Sequence, residues 1–126
     1  MTFSSETLRA WVDVNLSALG TNARRVATVS GSRLLPMVKA NGYGLGAVQV
    51  ARALESLDPW GFGLASIDEA DTLRSAGISR PLLVVTPLVP AWIARYLELD
   101  LRPSIGDPAA LAAWVAQTDR PFHVEI

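Results

Sequence analysis

Leu34-Leu35-Pro36-Met37-Val38-Lys39 runs directly into Ala40-Asn41-Gly42-Tyr43-Gly44-Leu45-Gly46, and Ala47 then opens a segment with helical spacing at Val48, Ala51 and Leu54. An apolar run, a glycine-rich loop and an amphipathic segment read as one β-strand, its loop and the helix that follows. The run over residues 33–40 is short and almost continuously apolar, as a strand covered on both faces would be. Gly42, Gly44 and Gly46 allow positive φ or a close backbone approach in the turn. Helical character is expected over residues 47–57.

The same unit recurs downstream. A second strand is expected over residues 60–65, with glycines at 61 and 63. Ser66 stands as the cap of a helix to about Ala76, with Glu69 where a capping box places its acid, and Gly77 ends it as a C′ glycine. Residues 81–86 form a third strand around Leu82-Leu83-Val84-Val85. Pro90 opens a helix through Leu97, and residues 101–105 are a weaker strand. Asp107 and Pro108 stand as N-cap and N1 of a helix to about Gln117. Residues 121–126 make a last strand. Upstream, the alternation Asp13, Val14, Asn15, Leu16 after Trp11 and Val12 reads as a strand over residues 8–16. Ser17 is then a plausible N-cap, and Leu19, Ala23, Val26 and Ala27 have helical spacing up to the break at Ser30-Gly31-Ser32. Gly20 weakens that helix by roughly 1 kcal/mol.

Apolar strands alternating with helices make a parallel α/β sheet covered on both faces. A doubly wound sheet and a (β/α)8 TIM-type barrel share this pattern. A barrel needs ~250 residues, so in a barrel these 126 residues would be the N-terminal half, preceded by the short N-terminal strand.

Composition narrows the chemistry. Half the residues are hydrophobic and 18% are charged, which argues for a packed core and against disorder. A net charge of -1 implies no basic face for nucleic acid. The absence of cysteine excludes disulfides and thiolate metal sites, and a single histidine, His123, cannot build a histidine zinc cluster. No apolar stretch reaches membrane-spanning length and residues 1–6 lack a signal core. A soluble cytoplasmic protein with no membrane partner is expected.

Among the 11 basic residues, Lys39 is the single lysine. At the end of a buried strand an amine can be desolvated, which favours its neutral, nucleophilic form. A lysine-poor composition alone would also account for its isolation. Tyr43 offers a hydroxyl to an anion such as phosphate, and the loop leads into a helix N-terminus, which also favours an anion. Equally, Tyr43 could pin the loop and the glycines could serve only a tight turn; the pattern is neither the dinucleotide fingerprint nor a P-loop. One amine, one hydroxyl and a permissive backbone suit an imine with a phosphorylated aldehyde. His123 and Glu125 read as ordinary strand positions, and the acidic cluster Asp68, Glu69 and Asp71 as stabilisation of a helix start.

The stretch Val38-Lys39-Ala40-Asn41-Gly42-Tyr43-Gly44-Leu45-Gly46 resembles the pyridoxal-phosphate attachment motif of alanine racemases. Arg9-Ala10-Trp11-Val12-Asp13-Val14-Asn15-Leu16, with Ala18, Leu19 and Asn22, resembles the start of that family. Similar too are Ala65-Ser66-Ile67-Asp68-Glu69-Ala70, Leu73-Arg74-Ser75-Ala76-Gly77-Ile78 and residues 81–87, so the likeness extends from Arg9 to the end. It implies a pyridoxal 5'-phosphate enzyme that interconverts L- and D-alanine for peptidoglycan. Lys39 would bind the cofactor and act as acid-base on one face of alanine; Tyr43 would hydrogen-bond its phosphate. A tyrosine of a second subunit serves the opposite face in the family, which implies a homodimer. The resemblance makes residues 17–126 a partial barrel and residues 1–16 a strand segment that pairs with a C-terminal β domain. Leu45 stands where the family usually has His, and Asn15 where it has Asp; tuning or a lost local hydrogen bond is expected. The barrel of the family continues beyond Ile126, so this chain reads as an incomplete fragment. A non-catalytic pyridoxal-phosphate-binding module, and a related barrel racemase or decarboxylase, are the alternatives; the Arg9-Ala10-Trp11 segment favours the racemase.

Overall fold

The computed structural model describes residues 10–124. Its framework is a sheet of four strands, β1 (Phe62–Leu64), β2 (Leu82–Pro87), β3 (Leu101–Ile105) and β4 (His123–Val124), all parallel and in the order β1-β2-β3-β4. Residues 34–38 lie parallel beside β1. Val38 N–H donates to Gly63 O at 2.9 Å, Gly63 N–H to Pro36 O at 2.9 Å and Trp60 N–H to Leu34 O at 2.8 Å. The strand expected over residues 33–40 is thus an extended stretch with one isolated bridge, Met37 to Gly63. A Cβ at Gly63 would overlap the Met37 sulfur, so the Met37 side chain would have to shift.

Strict sequential order separates the two architectures left open by the sequence. A doubly wound sheet reverses its strand order at a switch point. Here each parallel strand is added beside the one before, which is the arc of a (β/α)8 barrel.

Around the arc lie α1 (Leu16–Ser30), the turn α2 (Lys39–Tyr43), α3 (Ala47–Glu55), α4 (Ile67–Ser75), α5 (Ile93–Glu98, entered through a 3-10 turn Pro90–Trp92) and α6 (Pro108–Val115). The outward-facing strand residues Phe62, Leu64, Leu82, Val84 and Leu101 are buried against these helices. Tyr96 and Trp114 meet edge-to-face with ring centroids 6.3 Å apart. Each such large side chain contributes about 1.5–3 kcal/mol on burial. Pro103 cannot donate to the sheet, and the β2–β3 register shifts between Val84 and Pro87, where it faces β2.

Helix starts follow local chemistry. Ser66 Oγ accepts from Glu69 N–H at 3.2 Å and Asp107 Oδ1 from Ala110 N–H at 2.8 Å, both as expected. At the end of α4, Gly77 N–H bonds Arg74 O and Ile78 N–H bonds Leu73 O, a Schellman closure with Gly77 at φ 85°. The first helix departs from expectation: its cap is Asn15, not Ser17, with Asn15 Oδ1 accepting from Ala18 N–H at 2.9 Å. Asn caps a helix as well as Asp does, so the Asn15 departure loses no hydrogen bond at this site.

The N-terminal segment, expected as a strand over residues 8–16, has no strand partner among the described residues. Residues 10–15 have no regular structure, and Trp11 and Val12 are 66% and 82% exposed. An isolated segment gains nothing from an extended conformation without a neighbour to bond it. Residues 8 and 9 of that expected strand, and Glu125, lie outside the described residues.

Candidate functional site

Lys39 stands directly after the extended stretch, at the C-terminal edge of the sheet, where parallel α/β folds place their chemistry. Val38 before it is fully buried, while Lys39 is half-buried. Among the described residues none of the ion pairs uses its amine.

The backbone after Lys39 winds the wrong way. Ala40, Asn41, Gly42 and Tyr43 have φ of 50°, 53°, 65° and 55°, and Gly44 follows at 85°. This left-handed turn costs roughly 1–2 kcal/mol at each residue with a Cβ. Several bonds hold it: Gly42 N–H to Val38 O at 2.8 Å, Gly44 N–H to Ala40 O at 3.1 Å and Gly46 N–H to Asn41 O at 2.9 Å. At Gly42 a Cβ would come within 3.2 Å of Ala47 N, a backbone atom.

The turn brings Tyr43 back over the lysine. Lys39 Nζ is 6.0 Å from the Tyr43 ring centroid, a cation–π distance. Tyr43 is 61% exposed, so it does not pin the loop to the core and its hydroxyl is open to a ligand. Leu45 is also exposed.

One expectation needs revision. Asn41 Oδ1 accepts from Ala47 N–H at 3.0 Å, so the first amide of α3 is already taken. That helix start is capped from within the loop and does not offer this donor to an anion. Tyr43 remains an exposed hydroxyl of this loop.

Glu69 is the residue the sequence reading undervalued. Its Oε1 accepts from Ala40 N–H at 2.7 Å and its Oε2 from Ala65 N–H at 2.8 Å. Only half of the capping box forms, because the carboxylate reaches across to the lysine turn and does not fold back onto Ser66. Of its acidic neighbours, Asp71 pairs with Arg95 at 2.7 Å and Asp68 is exposed at the helix start. His123 pairs with Ser104 as an ordinary strand position.

Lys39 and Tyr43 adjoin each other without sharing an enclosed pocket. Tyr43 borders an open hollow of about 400 Å³ between α1 and residues 34–37. A larger hollow of about 620 Å³ opens past Ala65, Ser66, Thr86 and Trp92 at the ends of β1 and β2. The geometry locates the chemistry better than hollow size does: an amine and a phenol lie together at the sheet edge, and they fit an aldehyde bearing a phosphate.

The family described as the alanine racemase N-terminal domain matches residues 14–126. The alanine racemase of Symbiobacterium thermophilum is 42% identical over 99 residues, which cover 77% of this chain and 26% of that protein. That of Deinococcus radiodurans is 34% identical over 118 residues, covering 93% and 34%. The crystal structure of alanine racemase from E. faecalis matches with a TM-score of 0.78 at 31% identity, covering 88% of this chain and 32% of that one. Alanine racemase from Bacillus anthracis, solved with bound L-Ala-P, gives 0.73 at 28% identity over 82% of this chain and 28% of that one. The chain thus spans between 26% and 34% of the length of these relatives.

Proposed function

The chain belongs to the alanine racemase N-terminal domain family, and we propose that the whole protein interconverts L- and D-alanine with pyridoxal 5'-phosphate, this segment supplying Lys39 and Tyr43. The observation that carries the proposal is the placement of the only lysine at the sheet edge, on a strained turn that lays Tyr43 beside it.

In this reading Lys39 holds the cofactor through its amine. Freed by substrate, the same amine removes or returns the proton at Cα on one face of alanine. The Tyr43 hydroxyl donates to the cofactor phosphate. When bound, the cofactor supplies delocalisation of the negative charge left at Cα. The left-handed turn holds the backbones of Lys39 and Tyr43 in one relative arrangement, which lowers the entropy of aligning amine and phenol. Alanine as substrate is supported by the names of the relatives. A homodimer, in which a second subunit serves the opposite face, belongs to the same proposal. So do a cytoplasmic location and supply of D-alanine for peptidoglycan. Trp11, Val12 and Val14, exposed here, would be the strand that pairs with a β domain elsewhere in the protein.

The test is direct. The full-length protein is incubated with pyridoxal phosphate, reduced with borohydride, and the adduct located by peptide mass spectrometry, beside an assay of D-alanine formed from L-alanine. The expected result is an adduct on Lys39 and racemisation that Lys39→Ala abolishes. An unmodified Lys39 would overturn the cofactor assignment, and inertness toward alanine with turnover of another amino acid would overturn the substrate.

A further inference from the structure

Ala40 N–H belongs to the peptide group that follows Lys39, so whatever fixes that amide fixes ψ of Lys39 and the direction of its side chain. The group that fixes it is a carboxylate 29 residues away, Glu69 Oε1 at 2.7 Å. The other oxygen of the same carboxylate takes Ala65 N–H, at the end of β1, at 2.8 Å. Ala65 O in turn accepts from Thr86 Oγ1 of β2 at 2.9 Å. One side chain therefore joins the lysine turn to β1, and Thr86 extends the tie to β2.

A carboxylate is an acceptor only, and both its oxygens face amide donors here. Such charge-assisted bonds are roughly twice as strong as neutral ones. They pull on the amide of Ala40, a residue held at φ 50° and in need of compensation. Asp68, its neighbour in the first turn of α4, makes no comparable reach and is exposed. The helix dipole therefore does not account for Glu69.

We propose that Glu69 is a positioning residue: by gripping the Ala40 and Ala65 amides it aims the Lys39 amine, so that cofactor loading at Lys39 depends on this carboxylate. The proposal rests on the reading of Lys39 as the cofactor-bearing residue. Glu69→Gln keeps the shape but sets an NH2 group against one amide donor. Glu69→Asp keeps the charge but is one methylene too short to reach both.

The experiment measures the rate of covalent attachment of pyridoxal phosphate to Lys39 in the full-length protein, by borohydride quench and peptide mass spectrometry. Wild type, Glu69→Gln, Glu69→Asp and the control Asp68→Asn are compared. Loading is expected to slow about tenfold or more in Glu69→Gln, by a smaller factor in Glu69→Asp, and not in Asp68→Asn. Per loaded Lys39, kcat falls while KM for alanine stays within about twofold, the split expected when a proton-transferring group is misaimed. If Glu69→Gln fails to fold, slowed loading in Glu69→Asp with none in Asp68→Asn tests the proposal by itself. Wild-type loading rates in both Glu69 variants, or an equal loss in Asp68→Asn, would overturn the role of Glu69 alone. Absence of attachment to wild-type Lys39 would bring down this proposal together with the proposed function.

Discussion

Among the glycines of the lysine turn, Gly42 is the one whose Cβ would meet backbone. It combines φ of 65° with a Cβ position 3.2 Å from Ala47 N and 3.3 Å from Ala47 Cα, both backbone atoms that cannot move aside. Gly44 has φ of 85° but open space around it. Gly42→Ala should therefore lose about 2–4 kcal/mol, the sum of left-handed strain and overlap. Gly44→Ala should lose only the first, about 1–2 kcal/mol. Urea unfolding of both variants checks the difference; equal losses would show that the contact with α3 is unimportant. Gly42 was visible in the sequence as part of a permissive loop, and the nearness of Lys39 and Tyr43 could be read from their spacing. That Ala40 and Asn41 share the left-handed turn was not visible, because residues with a Cβ seldom adopt it. Glu69 was hidden for another reason. A carboxylate three positions after a capping serine satisfies the local pattern, and nothing local marks an amide 29 residues distant as its partner.

The elements are joined at the opposite, N-terminal edge of the sheet by arginines bonding backbone carbonyls. Arg74, on α4, donates to Ile78 O, Arg80 O, Leu99 O and Asp100 O at 2.7, 2.8, 2.9 and 3.0 Å. Burial draws its pKa down, as desolvation of a cation should. Arg74→Met keeps the stem and strands these carbonyls, so a loss of roughly 2–4 kcal/mol is expected in denaturant midpoint experiments. Arg74→Lys should recover little, since an ammonium cannot reproduce the fork. Asp58, held at φ 49°, plays the acceptor at a similar joint, taking Arg80 at 2.8 Å and Arg33 at 3.4 Å. The Arg80 hydrogen bond, and then the Arg33 charge, hold its pKa below the usual carboxylate value. A depressed carboxylate pKa stabilises the fold above the unfolded value of about 4, and that stability is lost as pH falls through the lower folded value. Thermal melts from neutral to strongly acid pH should thus fall more steeply in wild type than in Asp58→Asn, which keeps a residue tolerant of positive φ. The effect is small because Asp58 is exposed; superimposable profiles would dismiss it. Helices α3, α4 and α6 could be placed from caps and spacing alone because their start and stop signals are local. The first strand pass and the segment before α1 could not, because strand pairing depends on neighbours that periodicity does not identify.

As a whole, the described sheet is an arc with residues 34–38 at one edge and β4 at the other. Each edge presents backbone donors and acceptors on its outer side, the arrangement that templates pairing with another chain. The concave face adds an open hollow of about 330 Å³ bordered by Leu35, Leu83, Arg102, Phe122 and His123. Apolar strand residues and a buried helix layer make the arc cohesive on its convex side, while its concave side and both edges remain unmatched. Closure of a barrel by further strands would be the intramolecular solution. A polypeptide of residues 1–126 expressed alone must find an intermolecular one. Sedimentation velocity should show its mass rising with concentration above the 13.5 kDa of one copy. Val124, 52% exposed on β4, is the place to interfere. Val124→Lys puts a charge on that edge and should lower the association at a given concentration. A segment that stays at 13.5 kDa across the concentration range would show that the edges are protected without the rest of the barrel. Association unchanged by Val124→Lys would move the contact to the 34–38 edge or to the concave face.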